Sequence, residues 1–330
     1  MILSLSEDYT VRWFNDENDI DPYINGLNKA LYSEYDESVF EWKWKKNPNR
    51  YVFTSIIVVE HKVDGPVAFN SFLPLEIRRG EQVFKAIQGC DGFVDKDHRR
   101  RGLFQLTLKF LDQEKEKLDA EFLIGFNLVA ATGAARKAGS KLAYDVNKCF
   151  LKPEQVKPSR KRVELEPIDI DTLHRLYSGW ALKSRLFNVN RSKKYLYWRM
   201  QEHPFKQIQS YRVTFNGETA GYIVTDKVTE GEKTTLTIND YNPGLMNKHL
   251  TGITEPLMEL NPDATVLEMD TIQGGERQRS ARRLGFEVVP WYQVIMKALR
   301  GTRQESGVVY RGDVRLSYIR NWHIAESDIY

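Results

Sequence analysis

Apolar residues recur along the chain with two different periods. Leu103, Leu106, Phe110 and Leu111 fall at i, i+3, i+7 and i+8, with Leu118 two turns further on, so they share one helix face. Asp112, Glu114, Lys115, Glu116 and Lys117 form the wet side of the same helix. Elsewhere, β-rich runs such as FTSIIVVE (53–60) and IQSYRVTF (208–215) are separated by turn signals: DGPVAF at Asp64, NGETAGY at Asn216, RRGEQ around Gly80 and TEGEK around Gly231. FKAIQGCDGFV (84–94) reads as a central strand running straight into a loop. AARKAGS (134–140) and SARRLGF (280–286) read as basic helix ends stopped by a glycine. Hairpins interleaved with amphipathic helices predict an α+β fold.

These signals come in the same order twice. EWKWKKNP (41–48) returns in outline as YWRMQEHP (197–204), matching Trp42 with Trp198, Lys43 with Arg199 and Pro48 with Pro204. The two hairpin turns and the glycine-stopped helix follow in both copies. The offset falls from 156 at the prolines to 146 at Gly139 and Gly285, so the second copy is shorter in its middle. There the first copy has an arginine-rich loop, whereas the second has DYNPGLMNKHLTGITEPLMEL (240–260). Between the copies, the proline- and charge-rich stretch 151–167 reads as a linker. The expected organisation is a first domain over 1–150, the linker, and a second, degenerate domain over 168–330 whose tail from Gly301 has no assigned place.

Composition narrows the partners. A chain of 330 residues, 41% hydrophobic and 28% charged, fits two ordinary globular domains. With 48 basic against 45 acidic residues, no global field points to nucleic acid or an anionic membrane, so any anion site must be local. The start MILSLSEDYTVRWF lacks the features of a signal peptide and no run approaches a membrane span, which gives a cytoplasmic expectation. Two cysteines and six scattered histidines without HxxxH spacing predict a chain without a metal site. Cys90 is expected to be an inert apolar filler, and Trp42, Trp44 and Trp198 to be packing residues.

The local anion site is DKDHRRRGLF (95–104). A strand, an arginine-rich turn and then a helix present free backbone N–H groups and the positive helix end to an anion, and Arg99, Arg100 and Arg101 add charge suited to a pyrophosphate. His98 is expected to be an exposed loop residue.

FVDKDHRRRGLF resembles the acyl-CoA-binding motif of the GNAT superfamily of N-acetyltransferases, with Arg99 and Gly102 at its first two fixed positions and Phe104 where a small residue is usual. FLIGFNLVAATGAARKAGS (122–140) is similar to the family's second motif. The resemblance implies two tandem GNAT-like domains, each a mostly antiparallel twisted sheet flanked by helices, with only the first holding acyl-CoA. It implies that the pyrophosphate lies on the loop from Arg99 through Leu103 to Phe104. The pantetheine arm would run along Phe93 and Val94, beside a strand splay at Phe126 and Asn127. An amine then attacks the thioester directly, and Asp91 is the candidate base. Ala135 stands where many members carry the tyrosine that protonates the thiolate, which leaves Tyr144 as the nearby candidate. Asp240 and Tyr241, repeat mates of the active strand, are candidate acceptor contacts. The layout resembles bacterial N-acyltransferases of nucleotide-linked deoxyamino sugars for surface polysaccharide. A protein, peptide or other small-amine acetyltransferase and a non-catalytic CoA-binding protein stay open as alternatives. Oligomeric state is also open, a homodimer among the options.

Overall fold

The computed structural model of the chain describes residues 4–31, 34–158, 163–306, 308–318, 322–325 and 328. The first half contains β1 (Ser4–Ser6), β2 (Tyr9–Trp13), α1 (Ile20–Leu31), α2 (Glu37–Phe40), β3 (Ile56–His61), β4 (Gly65–Arg79), β5 (Gln82–Val94), α3 (Leu103–Glu114), β6 (Phe122–Asn127), α4 (Val129–Lys137) and β7 (Lys141–Leu151). The second contains β8 (Val163–Pro167), α5 (Ile170–Ala181), β9 (Asn188–Val189), α6 (Lys193–Leu196), β10 (Gln207–Phe215), β11 (Glu218–Glu230), β12 (Lys233–Tyr241), α7 (Pro243–Leu260), β13 (Val266–Ile272), α8 (Glu276–Leu284) and β14 (Glu287–Ala298). A small sheet of β15 (Arg303–Glu305), β16 (Val308–Arg311) and β17 (Val314–Arg315) follows. The run from β3 to β7 and the run from β10 to β14 have the same order of strands and helices, β-β-β-α-β-α-β.

Local chemistry explains the elements. Leu103, Leu106, Phe110 and Leu111 are all buried on one face of α3, against β-sheet side chains such as Ile57, Ile87 and Leu123. Asn216 and Gly217, both at positive φ, turn β10 into β11. Gly139 and Gly285, at φ 93° and 97°, end α4 and α8 where an L side chain would be strained.

One sheet runs through both halves in the order β1-β2-β3-β4-β5-β6-β14-β7-β13-β12-β11-β10-β8, with β9 on β4. The halves exchange their last strands: β14 lies between β6 and β7, and β7 pairs with β13 from Leu151↔Leu267 to Val146↔Ile272. The stretch 151–167, read as a linker, also supplies the edge strand β8, antiparallel to β10. At the join, Trp42 and Trp198 stack with ring centroids 5.0 Å apart. Each indole donates to the other's carbonyl, Trp42 Nε1 to Trp198 O at 2.7 Å and Trp198 Nε1 to Trp42 O at 2.6 Å. Both tryptophans sit in short π-helical turns, Glu41–Lys45 and Tyr197–Gln201, so the motif that recurs at an offset of 156 packs on itself.

Candidate active site

The chemistry gathers where β5 bends. Register slips between Phe69↔Phe93 and Ser71↔Cys90, and Asp91 takes φ 45°, an uncommon conformation for a residue with a side chain. The bulge turns the Asp91 carboxylate toward α1 and the first π-helical turn. Lys43 Nζ donates to Asp91 Oδ2 at 2.6 Å, and Tyr23 Oη donates to the same oxygen at 3.1 Å. Burial pulls the Lys43 ammonium down, but the Asp91 carboxylate more than offsets this and holds it above its ordinary value. Burial pushes the adjacent Cys90 thiol up to about 12, consistent with an inert residue.

Next to the bulge the sheet opens. β5 and β6 pair in parallel only from Ala86↔Phe122 to Gly89↔Gly125. Past that point Cys90–Val94 stay with β4 and Phe126–Asn127 with β14. The gap holds a cavity of about 350 Å³, with Phe72, Leu108, Leu123, Ala135 and Ile295 on its apolar walls and Asn70, Asp91 and Asn127 as polar contributions. Gly125 is required by close approach: a Cβ there would lie 2.8 Å from Asn127 Oδ1 and 3.0 Å from Ile295 Cγ1. Tyr292 and Ile295 come from β14, so the second half supplies part of the wall.

The arginine loop closes one end. Asp95 caps the turn Lys96–His98 by accepting from Asp97 N, Arg100 takes φ 65°, and Gly102 at φ 77° is the N-cap of α3. The first intrahelical bond runs from Leu106 N to Gly102 O, which leaves the amides of Leu103, Phe104 and Gln105 ahead of it as unpaired helix-end donors. Arg99, Arg100 and Arg101 are exposed around them; Arg99 Nε holds Val94 O and Arg101 Nη2 holds Asp97 O. Phe104, the departure from the motif, lines the cavity with Gly92.

Three expectations do not survive the geometry. Tyr144 is buried on β7 and is not among the residues that line the cavity, its hydroxyl finds no hydrogen-bond partner among the described residues, and burial together with the Asp328 charge raises its pKa. Asp240 and Tyr241 are fully buried rather than open to an acceptor. Arg191 grips Asp240 with Nε and, at 3.0 Å, with Nη2, and the same Nη2 reaches Asp328 Oδ1 at 2.9 Å. Arg277 stacks over the Tyr241 ring at 4.5 Å, and His323 packs edge-on against the same ring with centroids 5.1 Å apart. His98 is buried, not exposed, with Nδ1 2.9 Å from Tyr9 Oη. Lys43 and Tyr23 are the site residues that the sequence reading missed. The signal was the basic residue between Trp42 and Trp44, flanked so closely by large apolar groups that it had to be buried and therefore paired.

No family model and no curated protein matches this sequence. The fold, however, is that of the GCN5-related N-acetyltransferases. A member from Anabaena variabilis superposes with a TM-score of 0.64 at 14% identity, over 89% of this chain and 76% of that one. A conserved Enterococcus faecalis protein described as a probable N-acyltransferase gives 0.64 at 10% identity, over 88% and 72%. Saccharomyces cerevisiae N-myristoyltransferase, solved with bound myristoyl-CoA and inhibitors, gives 0.63 at 13% identity, over 93% and 83%. Among the described residues no helix is long and apolar enough to cross a membrane.

Proposed function

We propose that the protein is an acyl-CoA-dependent N-acyltransferase acting on the amine of a small acceptor, with a nucleotide-linked amino sugar as the favoured substrate. The observation that carries this reading is the parting of β5 from β6 over a cavity that ends at the uncapped, arginine-ringed start of α3. The pyrophosphate of the donor rests on the amides of Leu103, Phe104 and Gln105 and on Arg99, Arg100 and Arg101. The pantetheine arm follows Phe93 and Val94 into the gap, bringing the thioester beside Asp91 and Asn127.

The acceptor nitrogen attacks the thioester carbonyl carbon; the C–N bond forms and the C–S bond breaks. The proton leaving nitrogen goes to the Asp91 carboxylate, directly or through a water, and the departing thiolate is protonated by solvent, since Tyr144 is buried and does not line the cavity. Lys43 and Tyr23 hold the carboxylate in place. The strained backbone at Asp91 supports a functional role, because left-handed non-glycine residues concentrate at working sites. A second reading of the donor, a long acyl chain rather than acetyl, is favoured by the apolar walls of Phe72, Leu108, Leu123 and Ile295.

A thiol-release screen tests both: acyl-CoAs from acetyl to myristoyl against nucleotide amino sugars and peptides with free N-termini. Release with an amino sugar supports the reading. Release only with peptides moves the acceptor class, and no release with any pair while CoA binds favours a non-catalytic CoA-binding protein.

A further inference from the structure

Directly beside the arginine loop, three residues far apart in sequence converge. His61 ends β3, opposite Tyr9 on β2 and Gly65 on β4; Asp64 sits in the β3–β4 turn; His98 closes the turn after β5. His61 Nδ1 is 2.6 Å from Asp64 Oδ2, His98 Nε2 is 3.4 Å from the same oxygen, and one donor atom from each residue lies within 4.8 Å of the others. We propose that His61, Asp64 and His98 form a site for a divalent transition ion of the zinc class, which fastens the β3–β4 hairpin to the start of the phosphate loop.

The donor set is two imidazole nitrogens and one carboxylate oxygen, which suits zinc and leaves a fourth tetrahedral position for water. Bonds of about 2.0–2.2 Å to a tetrahedral ion put neighbouring donors about 3.4 Å apart. The His98–Asp64 separation already meets this spacing, and the His61–Asp64 one must open by somewhat under about 1 Å. Asp64 is the exposed member, on a turn, and so is free to make that adjustment and to admit the ion from solvent. The Asp64 amide donates to His61 Nδ1 at 3.3 Å, a long bond that the ion replaces. The buried end is held more firmly. With Nε2 as ligand, His98 carries its proton on Nδ1 and donates it to Tyr9 Oη at 2.9 Å, the outer-sphere hydrogen bond that orients metal-binding histidines. Burial of both Tyr9 and His98 keeps that bond dry. A simple Asp–His hydrogen bond closing a hairpin accounts for His61 and Asp64, but not for a second imidazole aimed at the same oxygen from another part of the chain.

The ion would act on backbone placement. His98 immediately precedes Arg99, and Asp95 N is already bonded to Val67 O on β4, so a link from His98 to the hairpin fixes the loop at a second point. That loop consequence rests on the proposed donor site; ion binding itself does not.

The test uses the tag-free full chain, stripped with chelator and titrated with Zn²⁺ by calorimetry, and with Co²⁺ by visible spectroscopy. One ion per chain is expected, with tetrahedral Co²⁺ bands and no thiolate charge transfer, because Cys90 and Cys149 are buried away from the cluster. Asp64→Asn, at an exposed position where folding is not at risk, and His61→Gln should each weaken Zn²⁺ binding by at least tenfold, on the order of metal-ligand effects. Tyr9→Phe should weaken it about 10–100-fold if its hydroxyl orients His98. Zn²⁺ affinity unchanged in both Asp64→Asn and His61→Gln, or no binding by the wild type, overturns the site. CoA titrations with and without Zn²⁺ then separate the two layers. Tighter CoA binding with Zn²⁺ in the wild type but not in Asp64→Asn supports the fastening role. Equal CoA binding in all four cases overturns that role alone, and no CoA binding anywhere overturns the donor site while leaving the metal result standing.

Discussion

Past Gly89 and Gly125, strands β5 and β6 separate over an open cavity; past Ile238 and Met269, strands β12 and β13 part in the same way, and the chain's own tail lies against their ends, with Trp322 also walling a separate cavity at Pro243, Ile272 and Arg277. His323 lies against Tyr241, Ala325 joins the core with Tyr241 and Met269, and Asp328 shares Arg191 with Asp240. The helix starts differ as well. α3 begins at a left-handed glycine with no side-chain cap, whereas α7 begins with Asn242 accepting from Gly244 N, and Pro243 offers no N–H at all. Both strand-end carboxylates are paired, Asp91 with Lys43 and Tyr23 and Asp240 with Arg191, so the halves differ in the helix-start donors and in what lies beside the gap. Equivalent topology yields an open slot or an occupied junction according to whether another part of the chain reaches the strand ends.

The sharpest way to break this comparison is to unpair the junction. Arg191→Ala leaves Asp240 and Asp328 buried together without their cation, and the expected loss is about 3–5 kcal/mol in chemical denaturation. A midpoint that barely moves would mean the second gap is not held by this network.

Asp91→Asn leaves the buried Lys43 ammonium without its counter-charge and so should also lower stability, while acyl-CoA affinity of the folded protein is spared and turnover falls by about 10²–10⁴, with partial recovery at higher pH where the free amine is abundant. Wild-type turnover across pH would show that Asp91 is structural, as Asp240 is.

The tail carries two buried titrating groups of opposite sign. His323, held down to about 4 chiefly by burial, contributes stability above its unfolded value near 6.5 that is lost as pH falls toward 4. Asp328, raised to about 6 chiefly by burial, contributes stability below its unfolded value near 3.8 that is lost as pH rises through 6. His323→Gln removes the first and keeps the second. The difference in stability between variant and wild type should therefore move in the variant's favour by up to about 3 kcal/mol from pH 6.5 to 4. Parallel profiles would show that His323 does not titrate across folding.

Replacing Arg99 and Arg101 with alanine should weaken CoA binding by about 1.5–3 kcal/mol each and leave binding of a pantetheine fragment unchanged. Equal losses for both ligands would dissociate the loop from the phosphates. Trp42→Phe removes one of the two reciprocal hydrogen bonds between the halves and leaves the Trp198 carbonyl without its donor, for a loss of about 1–2 kcal/mol. No change would show that stacking alone holds the join.

The features legible in the sequence were local or exactly repeated ones. Gly102 and the arginines marked the loop because a left-handed N-cap and its charge are set by neighbouring residues, and the Trp42–Trp198 repeat marked the join because both copies keep the same residues. Strand exchange was not legible: alternation tells which side chains of β7 face a core, but either copy's last strand satisfies that pattern. Asp240 and Tyr241 were misread for a related reason. They are the repeat mates of the candidate active strand, and only the placement of Trp322–Ala325 and of Asp328, more than 80 residues downstream, shows that their surroundings are occupied. Asp91, by contrast, was found from its place on the strand that leads into the arginine loop, close to where the resemblance puts the thioester.

Exchange of β7 and β14 bears on synthesis. A ribosome that has released residues 1–150 has released β6 and β7 without the strand that belongs between them, and β14 ends only at Ala298. At about 5–20 residues per second, roughly 7–30 s separate the two events, during which the inner edges of β6 and β7 are unpaired and open to wrong partners. The chain must therefore wait for its own second half before the cavity has a complete wall, since Tyr292 and Ile295 arrive last. Severing the halves would give two open-edged sheets rather than two enzymes, and mixing separately made halves would restore the cavity only by rebuilding the exchange.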